Sequence, residues 1–127
     1  MQTLLLVGAG GAAGAVARYL LGVQATRLMG HGWPFGTFAA NILGGFAMGV
    51  LIGALALRGG PDQERWRLIL GVGALGGFTT FSSYSLEIAL MLERREFQSA
   101  AIYSLGSVML SVTALFAGLI LMRKLLA

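Results

Sequence analysis

Asn41 is a neutral amide in the run Gly36-Thr37-Phe38-Ala39-Ala40-Asn41-Ile42-Leu43-Gly44-Gly45, and no charged residue lies between positions 35 and 57. Its side chain presents two N–H donors without a formal charge. Thr37, Asn41 and Gly45 follow four-residue spacing, so on a helix they share a face. Tyr103, Ser107 and Ser111 repeat that interval and stack three hydroxyls into a polar track. The stretch from 71 to 85 holds four glycines and five Ser or Thr side chains. Within it Phe78, Phe81 and Tyr84 recur every third residue. An aromatic ring edge is electropositive, so such rings can face an anion with no charge of their own. Each group also has a plainer use. Asn41 could join two helices by a hydrogen bond, the serines could serve as small packing residues, and the rings could fill a core or face lipid.

These residues lie in apolar runs. Hydrophobic residues make up 57% of the 127 and charged residues 11%, against about 25% charged in soluble domains. Mean hydropathy is +0.81. A spanning helix needs about 20 mainly apolar residues, and four runs qualify: 3–21, 35–57, 68–92 and 98–122. They are too long for strands and lack period-two alternation. The expected architecture is a single all-α membrane unit over 1–127, with four transmembrane helices joined by connectors at 22–34, 58–67 and 93–97. Gly59-Gly60-Pro61-Asp62 signals a turn. Tyr19, Trp33 and Trp66 sit near run ends, where amphipathic rings favour the headgroup layer. His31, between two glycines, is expected in a loop. No removable leader is expected, because Met1-Gln2-Thr3 carries no basic segment.

Adjacent Gly76 and Gly77 are expected to break the third helix at mid-membrane. Carbonyls freed there suit a hard cation. Gly45, Gly49 and Gly53, and likewise Gly10 and Gly14, form small-residue series that let helices approach closely. Arg18 near the end of the first run either lines an anion-attracting vestibule or snorkels to the interface. Glu87 either caps the polar line of the third helix or marks an interface.

The chain has no cysteine, which excludes disulfides and thiolate chemistry. One His and five carboxylates argue against a multi-ligand metal centre. Gly8-Ala9-Gly10-Gly11-Ala12-Ala13 imitates a dinucleotide fingerprint, but the first carboxylate is Asp62, too far on to bind a ribose. The net charge of +4 fits a membrane surface better than nucleic acid, since the arginines flank apolar runs. Of the nine basic residues, five (Arg58, Arg65, Arg67, Arg123, Lys124) fall on the side of the termini and four (Arg18, Arg27, Arg94, Arg95) on the other. That difference barely sets an orientation. Insertion both ways round, with opposed copies pairing as an antiparallel homodimer, and a fixed topology set by the 58–67 connector both remain open.

The segments Gly10-Gly11 to Arg18-Tyr19, Gly36-Thr37 with Asn41 and Gly44, Gly76-Gly77-Phe78-Thr79-Thr80-Phe81-Ser82-Ser83-Tyr84, and the hydroxyl line of the fourth run resemble the small bacterial fluoride channels, the Fluc or CrcB family. The resemblance covers all four runs. It implies a dual-topology antiparallel homodimer in the bacterial inner membrane, with two pores that release cytoplasmic fluoride passively and confer fluoride resistance. It implies a structural sodium ion at the dimer centre, held by the backbone carbonyls of Gly76 and Thr79. It implies pore roles for Asn41, Phe81 and Tyr84, with a polar track that includes Thr37, Ser82, Ser83, Tyr103, Ser107 and Ser111. The family commonly carries Phe where this chain has Tyr84. Two other classes compete: a proton-coupled drug exporter, which needs a membrane carboxylate, and a non-transporting assembly subunit built on the glycine faces.

Overall fold

A computed structural model describes residues 1–30, 32–58, 60–79 and 81–126. The expectations placed on His31, Gly59 and Thr80 lie outside the described residues. Helix α1 spans Gln2–Met29, α2 Phe35–Arg58 and α6 Phe97–Leu126, all three unbroken and apolar enough to cross a membrane. The shortest has 24 residues, about 36 Å at 1.5 Å per residue, which exceeds a hydrocarbon core of about 30 Å. The third run is composite. It begins with α3 (Gln63–Trp66), continues as a π-helical segment (Arg67–Leu75) and one turn of α4 (Gly76–Phe78), and resumes as α5 (Phe81–Glu93).

Two expectations need correction. The first connector is much shorter than 22–34, because α1 continues to Met29 and stops at Gly30, whose φ of 87° is left-handed. Gly22 to Met29 contains polar residues that end the hydropathy run, but nothing in it that breaks a helix. The other correction concerns the break. Gly76 and Gly77 are helical, and the chain leaves the helix at Thr79, with φ −95° and ψ 152°. A β-branched threonine accepts extended backbone readily. The Thr79 N–H and hydroxyl both donate to the Leu75 carbonyl at 3.0 Å.

The glycines of the third run serve approach instead. A Cβ on Gly77 would strike the Gly11 carbonyl, and one on Gly73 would lie 3.0 Å from the Val7 carbonyl oxygen. From the other side, a Cβ on Gly10 would lie 2.6 Å from the Ile69 carbonyl oxygen, and one on Gly14 would strike that of Ala74. Helix α1 therefore lies backbone to backbone on the broken run. The same holds between α2 and α6, the most extensive helix pair. A Cβ on Gly45 would come 2.6 Å from the Ser111 carbonyl oxygen, one on Gly49 would strike that of Leu115, and one on Gly118 would come 2.5 Å from that of Phe46. Arg58 Nη2 donates to the Leu126 carbonyl at 3.1 Å, which ties the ends of this pair. Large apolar side chains stay exposed on every long helix, among them Leu4, Leu43 and Met109, as expected where lipid or another chain covers them.

The remaining connectors are tight. Gly60–Asp62 forms a 3₁₀ turn that leads into α3. At its far end Glu64 pairs with Arg67 through two bonds of 3.0 and 2.5 Å, and these hold the Glu64 carboxyl below its usual range. The α5–α6 corner closes through Arg95 at φ 60° and a bond of 2.9 Å from the Glu96 N–H to the Met91 carbonyl.

The α2–α6 contact can be tested directly. Gly49→Ala places a methyl into backbone and should cost about 1–3 kcal/mol, read as a lowered Tm in detergent. Gly8→Ala, which meets nothing within 4 Å, should leave Tm unchanged or raise it.

Candidate functional site

Glycine contact between α2 and α6 places the polar faces of those helices side by side. Asn41 and Gly45 come up against Ser107 and Ser111, and α5 adds Phe81 and Tyr84 just after the break. The result is a cleft of about 400 Å³, which Gly76 and Thr79 also line. None of the described residues that line it is charged. Ser107 is 2% exposed. The hydroxyl oxygens of Ser107 and Ser111 are buried without a hydrogen-bond partner among the described residues. An unsatisfied buried hydroxyl costs about 1–3 kcal/mol, so these two oxygens are the costliest polar groups in the cleft. Phe81 is 77% exposed at its rim.

Tyr84 is buried, and its hydroxyl is already engaged. It donates to the Ser104 backbone carbonyl at 2.6 Å, which fastens α5 to α6. The extra donor relative to phenylalanine is thus used up, and Tyr84 lines the cleft without a free hydroxyl. A ladder of rings runs on from here. Centroids are 5.6 Å apart from Phe81 to Tyr84, 5.4 Å from Tyr84 to Tyr103, 5.2 Å from Tyr103 to Trp33 and 4.9 Å from Trp33 to Phe38. Tyr103 and Trp33 meet edge to face at 85°.

Tyr103 is fully buried, and its hydroxyl donates to Glu87 Oε1 at 3.2 Å. Thr37, on α2, faces the same vestibule as Glu87. Thr37, Glu87 and Tyr103 therefore form a polar junction of α2, α5 and α6, distinct from the lining of the cleft. That wider vestibule, of about 750 Å³, is lined as well by Arg18, Arg27 and Arg94. Arg94 is partly neutralised by Glu96 at 2.6 Å.

Arg18 lines the vestibule, but it does not stand at a helix end. It lies eleven residues short of Met29, roughly 16 Å along the axis. Its Nε donates to the Gly77 carbonyl at 3.4 Å, so the guanidinium turns inward to the broken run instead of snorkelling outward. Ser82 and Ser83, in the first turn of α5, do not line the cleft, and each makes an interaction of its own.

Asn41, Phe81, Tyr84, Ser107, Ser111, Gly76 and Thr79 thus converge on one cleft, while Thr37 and Tyr103 sit one level away. Trp33, expected near the headgroup layer, is half-buried with its ring on Tyr103. Glu87 completes the Thr37–Tyr103 junction. Its place was signalled by its spacing, three residues after Tyr84 on the same helix face.

The chain matches the family model described as CrcB-like protein, Camphor Resistance (CrcB), over residues 5–119. It is 75% identical over 127 residues, the full length of both chains, to a protein of Phenylobacterium zucineum (strain HLK1) named fluoride-specific ion channel FluC. A protein of the same name from Caulobacter sp. (strain K31) is 60% identical over 124 residues, covering 98% of this chain and 97% of its own. Another from Hyphomonas neptunium is 48% identical over the full length of both chains. With the glycine contacts, the broken third run and the uncharged cleft in place, the full-length similarity makes this chain a member of the CrcB family.

Proposed function

We propose that the chain is a passive fluoride-selective channel of the bacterial inner membrane, working as an antiparallel homodimer with two pores and a structural sodium ion at its centre. The reading is carried by the two unpartnered hydroxyls, Ser107 and Ser111, buried in an uncharged cleft with Asn41. The names of the full-length relatives point the same way.

Fluoride is small and strongly hydrated, so a pore must replace its water and then release it. The Asn41 amide, the Ser107 and Ser111 hydroxyls and the ring edges of Phe81 and Tyr84 supply that replacement without a charge. The basic vestibule around Arg18 and Arg27 raises the local anion concentration. Thr37 and Tyr103 at the junction with Glu87 extend the polar route between vestibule and cleft, and Ser82 and Ser83 complete the track when a second copy closes the exposed side of Phe81. Fluoride then leaves down its gradient without coupling to protons or ATP.

The near balance of basic residues, five against four, supports insertion in both directions. The donors at the break fit a hard cation. Backbone oxygens at the C-terminal end of a helical turn carry partial negative charge, and sodium takes oxygen ligands as other hard cations do. The Gly76 and Thr79 carbonyls would hold it, and the ion would supply a fixed positive charge that joins the two copies.

Replacing Phe81 with Ile removes a ring edge, and Asn41→Asp turns a donor into an anion. Each should cut fluoride efflux from liposomes more than tenfold while the dimer persists, as read with a fluoride electrode and by size-exclusion chromatography. Undiminished efflux in both variants would refute these pore roles. Efflux that requires an opposing proton flux would favour an exporter, and no anion release would favour an assembly subunit. Tyr84→Phe should keep efflux, because the hydroxyl faces Ser104. It should lower stability by about 1 kcal/mol for the lost bond, seen as a fall in Tm.

A further inference from the structure

We infer that Arg18 is a positioning residue that clamps the broken third run through the Gly77 carbonyl and so sets the backbone oxygens beside it. The inference rests on the sodium reading above for one of its two readouts only.

Three observations carry it. Gly10, Gly14 and Arg18 follow four-residue spacing on α1 and share a face. The two glycines press that face into the backbone of the broken run, where a Cβ on Gly14 would lie 2.8 Å from the Phe78 nitrogen. One turn further on, Arg18 is therefore delivered to α4. Next, α4 is a single turn, and Thr79 is extended, so the Gly77 carbonyl has no continuing helix to bond with. Arg18 Nε supplies a donor at 3.4 Å, at a helix C-terminus that favours positive charge. Finally, an arginine inside an apolar run is costly unless paired, and this guanidinium finds a carbonyl on one side and the vestibule on the other. Gly77 lies between Gly76 and Thr79, the residues assigned to the cation. A clamp on its carbonyl fixes the peptide plane that separates them and leaves those carbonyls for the ion.

The donor is Nε, and this makes the clamp separable from vestibule charge. Glutamine carries its amide nitrogen at the same place along the side chain and has no charge. Lysine keeps the charge but has a methylene there, with its ammonium one bond further out. The test compares Arg18→Gln, Arg18→Lys and Arg18→Met in the full-length protein. One readout is fluoride efflux from liposomes, and the other is the sodium concentration that half-protects against thermal unfolding in detergent. A clamp predicts that Gln, although it has lost the vestibule charge, conducts at least tenfold faster than Lys and Met. It also predicts that half-protection shifts to at least tenfold higher sodium in Lys and Met than in Gln. Lys at parent efflux with Gln as poor as Met, or three equal variants, would overturn the clamp. Absence of sodium protection in the parent would overturn the sodium reading alone, and the efflux order would still decide the clamp.

Discussion

Contact of backbone on backbone is the constraint that everything polar in this molecule depends on. Hydrocarbon supplies no hydrophobic force to draw helices together, so association in it depends on close packing and on bonds between helices. Glycine is the residue that lets main chains touch. Gly10, Gly14, Gly73 and Gly77 seat α1 on the broken run, and Gly45, Gly49 and Gly118 seat α2 on α6. Each contact is so close that a single methyl would meet a main-chain atom. Their lateral registers are therefore fixed, and side chains one turn from a glycine are delivered to defined places. Asn41, one turn before Gly45, lines one cleft with Ser107 and Ser111, and Arg18, one turn after Gly14, reaches Gly77.

The two delivered groups differ in charge, and the difference has a physical use. A guanidinium 4 Å from an anion at an effective dielectric constant of about 20 contributes roughly 4 kcal/mol, enough to slow departure about a thousandfold. Neutral hydrogen bonds contribute about 1 kcal/mol each. A passage that must both admit and release a halide needs the second kind inside and the first kind outside. The arrangement follows that division, with an uncharged cleft and with Arg18, Arg27 and Arg94 around the vestibule. Arg18 stands nearest the boundary, and its Nε is taken up by a carbonyl.

The aromatic ladder from Phe81 to Phe38 gives the junction between these two regions its stiffness. Rings in tilted and edge-to-face contact lock one another, and two hydroxyls at the centre are tied off, Tyr84 on Ser104 and Tyr103 on Glu87. The hydroxyls of Ser107 and Ser111 are left without partners among the described residues. The Tyr84 and Tyr103 hydroxyls, being bonded elsewhere, do not satisfy them.

Much of this was legible in the amino-acid order. Hydropathy alone delimits four apolar runs, because lipid demands about 20 residues per crossing whatever the neighbours are. Four-residue spacing placed Thr37 with Asn41 and Tyr103 with Ser107, since side-chain direction on a helix is a local property. The third-run motif identified the residues around the break. The tertiary structure alone decided the rest. Gly76-Gly77 read as a breaker because glycine is flexible, but flexibility does not matter where α1 packs against it, and Thr79 became the exit. The end of a hydropathy run at position 21 read as the end of a helix, and this hid the fact that Arg18 sits well inside α1. Whether the Tyr84 hydroxyl faces a guest or a carbonyl, and whether Glu87 is an interface residue or the third member of a junction, depends on which helix lies opposite. One-dimensional periodicity shows which residues share a face, and only packing determines what that face meets.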